Sequence, residues 1–154
     1  MDGRAPGERA AGRRDESLTT MKVIYVAGPF RGANSWEMEQ NIRRAEELSL
    51  AVWRAGFAAL CPHTNTRFFQ GAAPDKVWID GTLELLRRCD AVVLTADWIR
   101  STGARGEVRE AIARGIPVYG NVHELEIGTR LNPEWLTLNM EEHEALLAIQ
   151  SLHS

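Results

Sequence analysis

The sequence predicts an α/β fold: a doubly wound parallel sheet of four to five strands with helices on both faces. Three observations predict it. The stretches KVIYVAG (22–28) and DAVVLTAD (90–97) are continuous apolar runs, as expected of central strands covered on both sides. Such runs alternate with helical periodicity along the chain, which demands parallel strands joined by right-handed crossovers. The 154 residues are 44% hydrophobic and 25% charged, enough for one domain around one sizeable core. Together these describe a flavodoxin-like or Rossmann-like sheet.

Residues 1–20 (MDGRAPGERAAGRRDESLTT) lack an apolar period and read as a disordered leader, with Met21 as an alternative start. Their four acids argue against an Arg-rich transit peptide. Residues 21–154 read as a single α/β domain. KVIYVAG is the first strand. From Ser35 to Ala55 the pattern is helical, with Met38, Ile42, Ala45, Ser49 and Val52 on one face, and Gly56 ends it. FAALCP (57–62) is a second strand, and Asp75 to Arg88 a helix with Ile79, Leu83 and Leu86 inward. DAVVLTAD follows as a strand, then Thr102 to Arg114 as a helix stopped by Gly115, then IPVYG (116–120) as a strand. EWLTLN (134–139) reads as a fifth strand and EEHEALLAIQSL (141–152) as an amphipathic helix.

Several function classes fall away. The net charge of -3 offers no general surface for a nucleic-acid polymer, so a bound phosphate needs a local site. No apolar run approaches the roughly 18 residues of a membrane span. Cys61 and Cys89 form no CxxC and read as buried, reduced thiols of a cytoplasmic protein. No His, Cys or Asp group has metal-ligand spacing, so no metal is expected. The first turn, AGPFRGANS, is not GxGxxG, and no GxxxxGK[ST] occurs; no cofactor is expected.

Doubly wound sheets place ligands at the carboxyl ends of their strands. That rule selects Gly28, Pro29, Arg31 and Gly32 after the first strand, His63 after the second, and Asp97 through Gly103 after the third. The planar fork of Arg31 suits a phosphate or carboxylate, although a tight turn also exposes such an arginine to water. Ser101 and Gly103 open a helix whose free N–H groups favour an anion; a plain N-cap has the same sequence. His63 points to the same end, or is a loop histidine with its bonds made.

Glu107 is the residue that asks for an explanation. It lies at the margin of the packing stripe Ala104, Val108, Ala111, Ile112 and Gly115, beside small residues that leave a ligand room. Near the helix N-terminus its carboxyl is expected to stay ionised, as a nucleophile requires. A first-turn glutamate that only stabilises its own helix gives the same pattern. Asp80, at the margin of the preceding helix, and Asp97 compete as a partner acid. Asp90, at the opposite end of the sheet, reads as a structural turn residue. Trp78 and Trp98 are packing residues or the walls of a base pocket.

YVAGPFRG (25–32), WID (78–80), CDAVVL (89–94) and STGARGEVREAIARGIPVY (101–119) together resemble the nucleoside 2-deoxyribosyltransferase-like superfamily, specifically its DUF4406-type members. The resemblance covers residues 22–120. It implies cleavage of a nucleoside C–N bond, with Glu107 as nucleophile on C1′ and Asp80 delivering a proton to the base. Tyr25, at the head of the first motif, joins the substrate contacts. Arg31, Gly32 and Ser101 look like 5′-phosphate contacts, which favours a nucleoside 5′-monophosphate and water as acceptor. A deoxyribosyltransferase and a nucleotide-binding module without turnover are the alternatives. The partner is then a small nucleoside or nucleotide, and the resemblance implies a homo-oligomer, dimer or tetramer.

Overall fold

The computed structural model describes residues 20–154; apart from Thr20, the leader expected over residues 1–20 lies outside them. Strand β1 (Val23–Ala27) runs into helix α1 (Ser35–Arg54), and β2 (Ala58–Leu60) into the single turn α2 (Pro62–Asn65) and helix α3 (Asp75–Arg87). Strand β3 (Ala91–Leu94) leads through a 3-10 turn (Trp98–Arg100) into α4 (Thr102–Ala113). Strand β4 (Val118–Tyr119), α5 (Val122–Ile127) and α6 (Pro133–Leu152) complete the chain. The strands are all parallel, in the order β2-β1-β3-β4. The predicted fold class is the one observed, with four strands among the described residues.

Alternation along the strands builds two cores. Tyr25, Ala27, Val92 and Leu94 point to one face, where Leu86 of α3, Val108 and Ala111 of α4, and Leu136 and Met140 of α6 cover them. Ile24, Val26, Ala91 and Val93 point to the other, under Ala45 and Val52 of α1 and Leu125 of α5. Both central strands are therefore sealed on both faces, which is why their sequences show no polar alternation. Helix α1 starts in a reciprocal cap: Asn34 accepts from the Glu37 N–H at 2.9 Å, and Glu37 accepts from the Ala33 N–H at 2.6 Å. Asp90 accepts from the Val23 N–H at 2.8 Å, a tie at the amino end of the sheet.

Two expectations are corrected. EWLTLN is not a fifth strand but the first turns of α6. Pro133 occupies the first helical turn, and Asn132 caps it by accepting from the N–H groups of Glu134 and Trp135 at 2.8 and 3.2 Å. The local alternation of Trp135, Leu136, Thr137 and Leu138 loses to that cap and to burial of Leu136 and Met140 one turn apart. Helix α3 is also rotated from its expected phase. Ile79 is 55% exposed, whereas Trp78, Thr82 and Leu86 lie along the inward side.

Candidate active site

Strands β1 and β3 lie side by side, and their chains leave in opposite directions, β1 towards β2 and β3 towards β4. The crevice outside their carboxyl ends is where such sheets hold ligands. Two groups of residues flank this switch point, and they differ sharply in how their polar atoms are satisfied.

The first group is the turn after β1. Gly28 passes so close to β3 that a Cβ there would stand 2.4 Å from Thr95 Oγ1. Gly32 is equally confined, with Glu37 Cβ at 2.4 Å from the same hypothetical atom. Nε2 of His63 lies 3.1 Å from the Gly28 carbonyl and 2.9 Å from the Pro29 carbonyl. Both partners accept, so Nε2 carries the proton. Burial holds the His63 pKa below its ordinary value, and the ring stays neutral. Asn41 donates to the carbonyls of Phe30 and Arg31, and Arg44 donates to the Asn41 side-chain oxygen at 2.9 Å. Thr95 donates to Asp97 at 2.8 Å, with the Arg44 Nε 3.8 Å from the other carboxylate oxygen. Arg31, at the tip, pairs at 2.6 Å with Asp75, and both are exposed.

The second group belongs to β1, α3 and α4. Glu107 is half-buried as a residue, but its Oε2 is sealed from solvent and has no hydrogen-bond partner among the described residues. The Tyr25 hydroxyl is sealed in the same way, without a hydrogen bond of good geometry, and the polar groups that act on it are the Glu107 carboxyl and Thr82. The two are near enough to influence each other's ionisation, and Thr82 stands beside the Tyr25 hydroxyl. Burial pushes the Glu107 carboxyl up to about 7, against a smaller opposing pull from Tyr25. Burial, with the neighbouring carboxyl, holds Tyr25 protonated far above its ordinary range. The expectation that the helix end keeps Glu107 ionised is thus corrected: desolvation outweighs the dipole. Below about pH 7 the acid is neutral.

Ser101 caps α4, its oxygen accepting from the Ala104 N–H at 3.1 Å. Behind it Arg105 is buried at 5% exposure. Its guanidinium donates to the Ile99 carbonyl at 2.6 Å and to Thr102 at 3.3 Å, and lies 3.8 Å from Glu144 of α6. Arg105 thereby fixes the 3-10 turn that aims Ser101. A Cβ at Gly103 would meet nothing nearer than Ser101 Oγ at 3.7 Å, and one at Gly106 nothing within 4 Å. Packing within the chain does not demand these glycines.

Asp80 stands apart from this arrangement. It is exposed and pairs at 2.6 Å with Lys76, one turn back along α3. The inward side of α3 presents Thr82 at that level instead. Trp78 packs its ring against Phe69 at 5.8 Å with its Nε1 buried and unpartnered, and Trp98 is partly buried against the core. The open grooves of about 460 and 440 Å³ along α1 are lined by other residues, none of them predicted for the site. No group of three potential metal ligands occurs among the described residues. No helix among them is long and apolar enough to cross a membrane. Both cysteines are free and buried.

Sequence reasoning missed Asn41, Arg44, Thr82, Thr95 and Arg105. Thr95, at the carboxyl end of a strand, carried a usable signal; the other four depend on helix phase and tertiary contact.

A family model described as "Domain of unknown function (DUF7768)" matches residues 22–120, the span of the motifs quoted above. That is not the DUF4406 the motifs suggested. No curated protein matches the chain. Among solved structures it is similar to a 2-deoxyribosyltransferase from the psychrotolerant bacterium Bacillus psychrosaccharolyticus, with 21% identity and a TM-score of 0.48. That match covers 62% of this chain and 69% of the other. It is also similar to a conserved protein from Enterococcus faecalis V583, at 23% identity and a TM-score of 0.47. There the match covers 64% of this chain and 62% of the other, less than two thirds of that protein's length.

Proposed function

The chain belongs to the DUF7768 family, and we propose that it cleaves the N-glycosidic bond of a nucleoside 5′-monophosphate, with Glu107 as the nucleophile. The observation that supports this reading is a Glu107 carboxyl sealed from solvent with the Tyr25 hydroxyl beside it and no cation among the described residues against it. Native proteins rarely bury a carboxyl with so little to satisfy it unless it has a use.

The chemistry follows from the geometry. A glycosidic C–N bond breaks through an oxocarbenium-like state, which a carboxylate beneath C1′ stabilises or captures. The Glu107 oxygen forms a bond to C1′ as the base departs with the bonding electron pair and takes a proton from solvent. Water then attacks C1′ of the ester, giving up a proton to solvent, which releases the sugar phosphate and restores the carboxylate. Two displacements give net retention, the logic of retaining glycosidases. Tyr25 steadies the ionised carboxyl that the first step needs. The free N–H groups at the start of α4, with Ser101 and Gly103, suit the 5′-phosphate. Arg31 adds a cation there once it leaves Asp75. His63 and Asp97 hold the floor of the crevice through Gly28, Pro29 and Thr95.

Incubation with a panel of ribo- and deoxyribonucleoside 5′-monophosphates, followed by chromatography, tests the reading through release of free base. Exchange with a second, labelled base would move the assignment to a deoxyribosyltransferase. One observation favours a second reading. Asp80, the expected proton donor, is exposed and paired with Lys76, and no other acid exerts a resolved influence on the Glu107 carboxyl. A site without a placed acid fits a nucleotide-binding module. Thermal stabilisation by nucleotides with no base released from any of them would establish that module and remove the enzyme.

A further inference from the structure

Helix α3 carries three residues at the spacing of one helical face: Asp75, Trp78 and Thr82. Its first turn stands at the carboxyl ends of the strands, where Asp75 pairs with Arg31 of the β1 turn at 2.6 Å. Thr82 stands beside the Tyr25 hydroxyl, and so at the level of Glu107. Trp78 lies between them, one turn or about 5.4 Å above Thr82 towards the mouth of the crevice. Its indole Nε1 is buried without an acceptor among the described residues. An indole N–H only donates, so an acceptor has to be brought to it.

The Phe69 ring lies against Trp78, with centroids 5.8 Å apart, and is half exposed. It belongs to the loop 66–74, anchored at one end by Arg67 on Glu39 and Glu46 and at the other by Asp75 on Arg31. Between those anchors the backbone bonds only to itself among the described residues. The Phe69 N–H donates to the Thr66 carbonyl at 3.0 Å, and the Ala72 N–H to the Phe69 carbonyl at 2.9 Å. Phe68, its ring exposed, holds φ at 69°, a left-handed conformation that is costly for a residue other than glycine. The cover over Trp78 is weakly held, and a flat ring entering from the mouth takes the place of Phe69 against the indole.

Granted the bond cleavage proposed above, we infer that the Trp78 N–H stabilises the departing base. With the sugar's C1′ at Glu107, the base projects one turn up α3 and meets the indole. As the C–N bond breaks, its electron pair passes to the base, and the negative charge spreads over ring nitrogens and exocyclic oxygens. The Trp78 N–H donates to one of these atoms, in a hydrogen bond that strengthens as the charge develops. No proton is transferred. The indole keeps its own, and the base leaves as an anion that solvent protonates. Turnover then needs no acid at Asp80, whose pairing with Lys76 in water ceases to count against it.

Trp78→Phe keeps a ring against Phe69 and deletes the N–H. It is expected to lower kcat for base release from nucleoside 5′-monophosphates by on the order of 10–100-fold, the loss of one charge-assisted hydrogen bond. The same sugar phosphate carrying para-nitrophenolate, a leaving group stable without help, should be cleaved at nearly the wild-type rate. Equal loss on both substrates makes Trp78 a packing residue and overturns the inference, as does an unchanged rate on nucleotides. Binding is read separately from the indole N–H resonances of isotope-labelled Glu107→Gln protein, the Trp78 signal being the one missing from Trp78→Phe/Glu107→Gln. Nucleoside monophosphates should shift that signal downfield. A shift confined to other residues overturns the role of Trp78 and leaves nucleotide binding intact. Wild-type protein that releases no base removes the bond cleavage itself, whatever the resonances show, and the role of Trp78 with it.

Discussion

The two walls of the switch-point crevice are built on opposite plans. On the β1-turn side most polar groups are answered: Nε2 of His63 by two carbonyls, though its Nδ1 is buried without a partner, Asn41 by two more carbonyls, and Asp97 by Thr95 and Arg44. On the α4 side Oε2 of Glu107 and the Tyr25 hydroxyl are buried with little besides each other and Thr82 to satisfy them. A satisfied network fixes geometry, whereas an unsatisfied one costs free energy and keeps its capacity for a ligand. The first wall is a frame; the second is where chemistry is to be sought.

The largest expected effect tests that division directly. Glu107→Ala should lower base release by on the order of 10³-fold or more, as loss of a nucleophile does. Gly28→Ala should lower it mainly through the loss of folded protein. Release that survives in Glu107→Ala would erase the distinction between the walls.

Next comes the cost of the unsatisfied side. The folded protein holds the Glu107 proton up to about pH 7, while an ordinary carboxyl releases it near 4.5. Between those values the unfolded chain has lost a proton that the folded chain keeps. Stability from this group is therefore full below about pH 4.5 and falls as pH rises through about 7, by up to about 3 kcal/mol. Denaturation curves on either side of that window measure the slope, and Glu107→Gln should flatten it.

The satisfied side should respond first to packing. Gly28→Ala forces a carbon against the Thr95 side chain and should cost about 1–3 kcal/mol in urea titration. Tyr25→Phe has a subtler signature. It removes the group that pulls the Glu107 carboxyl down, so the acid limb of the base-release profile should move to higher pH. Smallest of all is Asp80→Asn. An exposed pair with Lys76 is worth under about 1 kcal/mol, and base release should hardly change. A large loss of release would instead return Asp80 to the role of proton donor.

Much of the fold was legible because local and global signals agreed. The runs over 22–28 and 90–97 became β1 and β3, and Asn34 and Ser101 capped the helices that their side chains allow. The site was legible only in outline. Strand-end reasoning selected Gly28, His63, Asp97 and Ser101 as candidates, and the margin of a helical stripe selected Glu107. It chose Ile79, Leu83 and Leu86 as the inner side of α3 because they are apolar. Leu86 is buried as expected and Leu83 half-buried, but Ile79 is exposed while Trp78 and Thr82 are half-buried, which brings Thr82 beside Tyr25 and leaves Asp80 in water.

The chain's own pattern therefore determined the parallel sheet and the order of its elements. Hydrophobic periodicity and caps are local properties, readable one turn at a time. Tertiary structure decided the phase of α3, the helical fate of residues 134–139 and the protonation of Glu107. Each depends on what lies across the interface. Burial by residues distant in sequence sets the cost of a charge, and no local pattern records it.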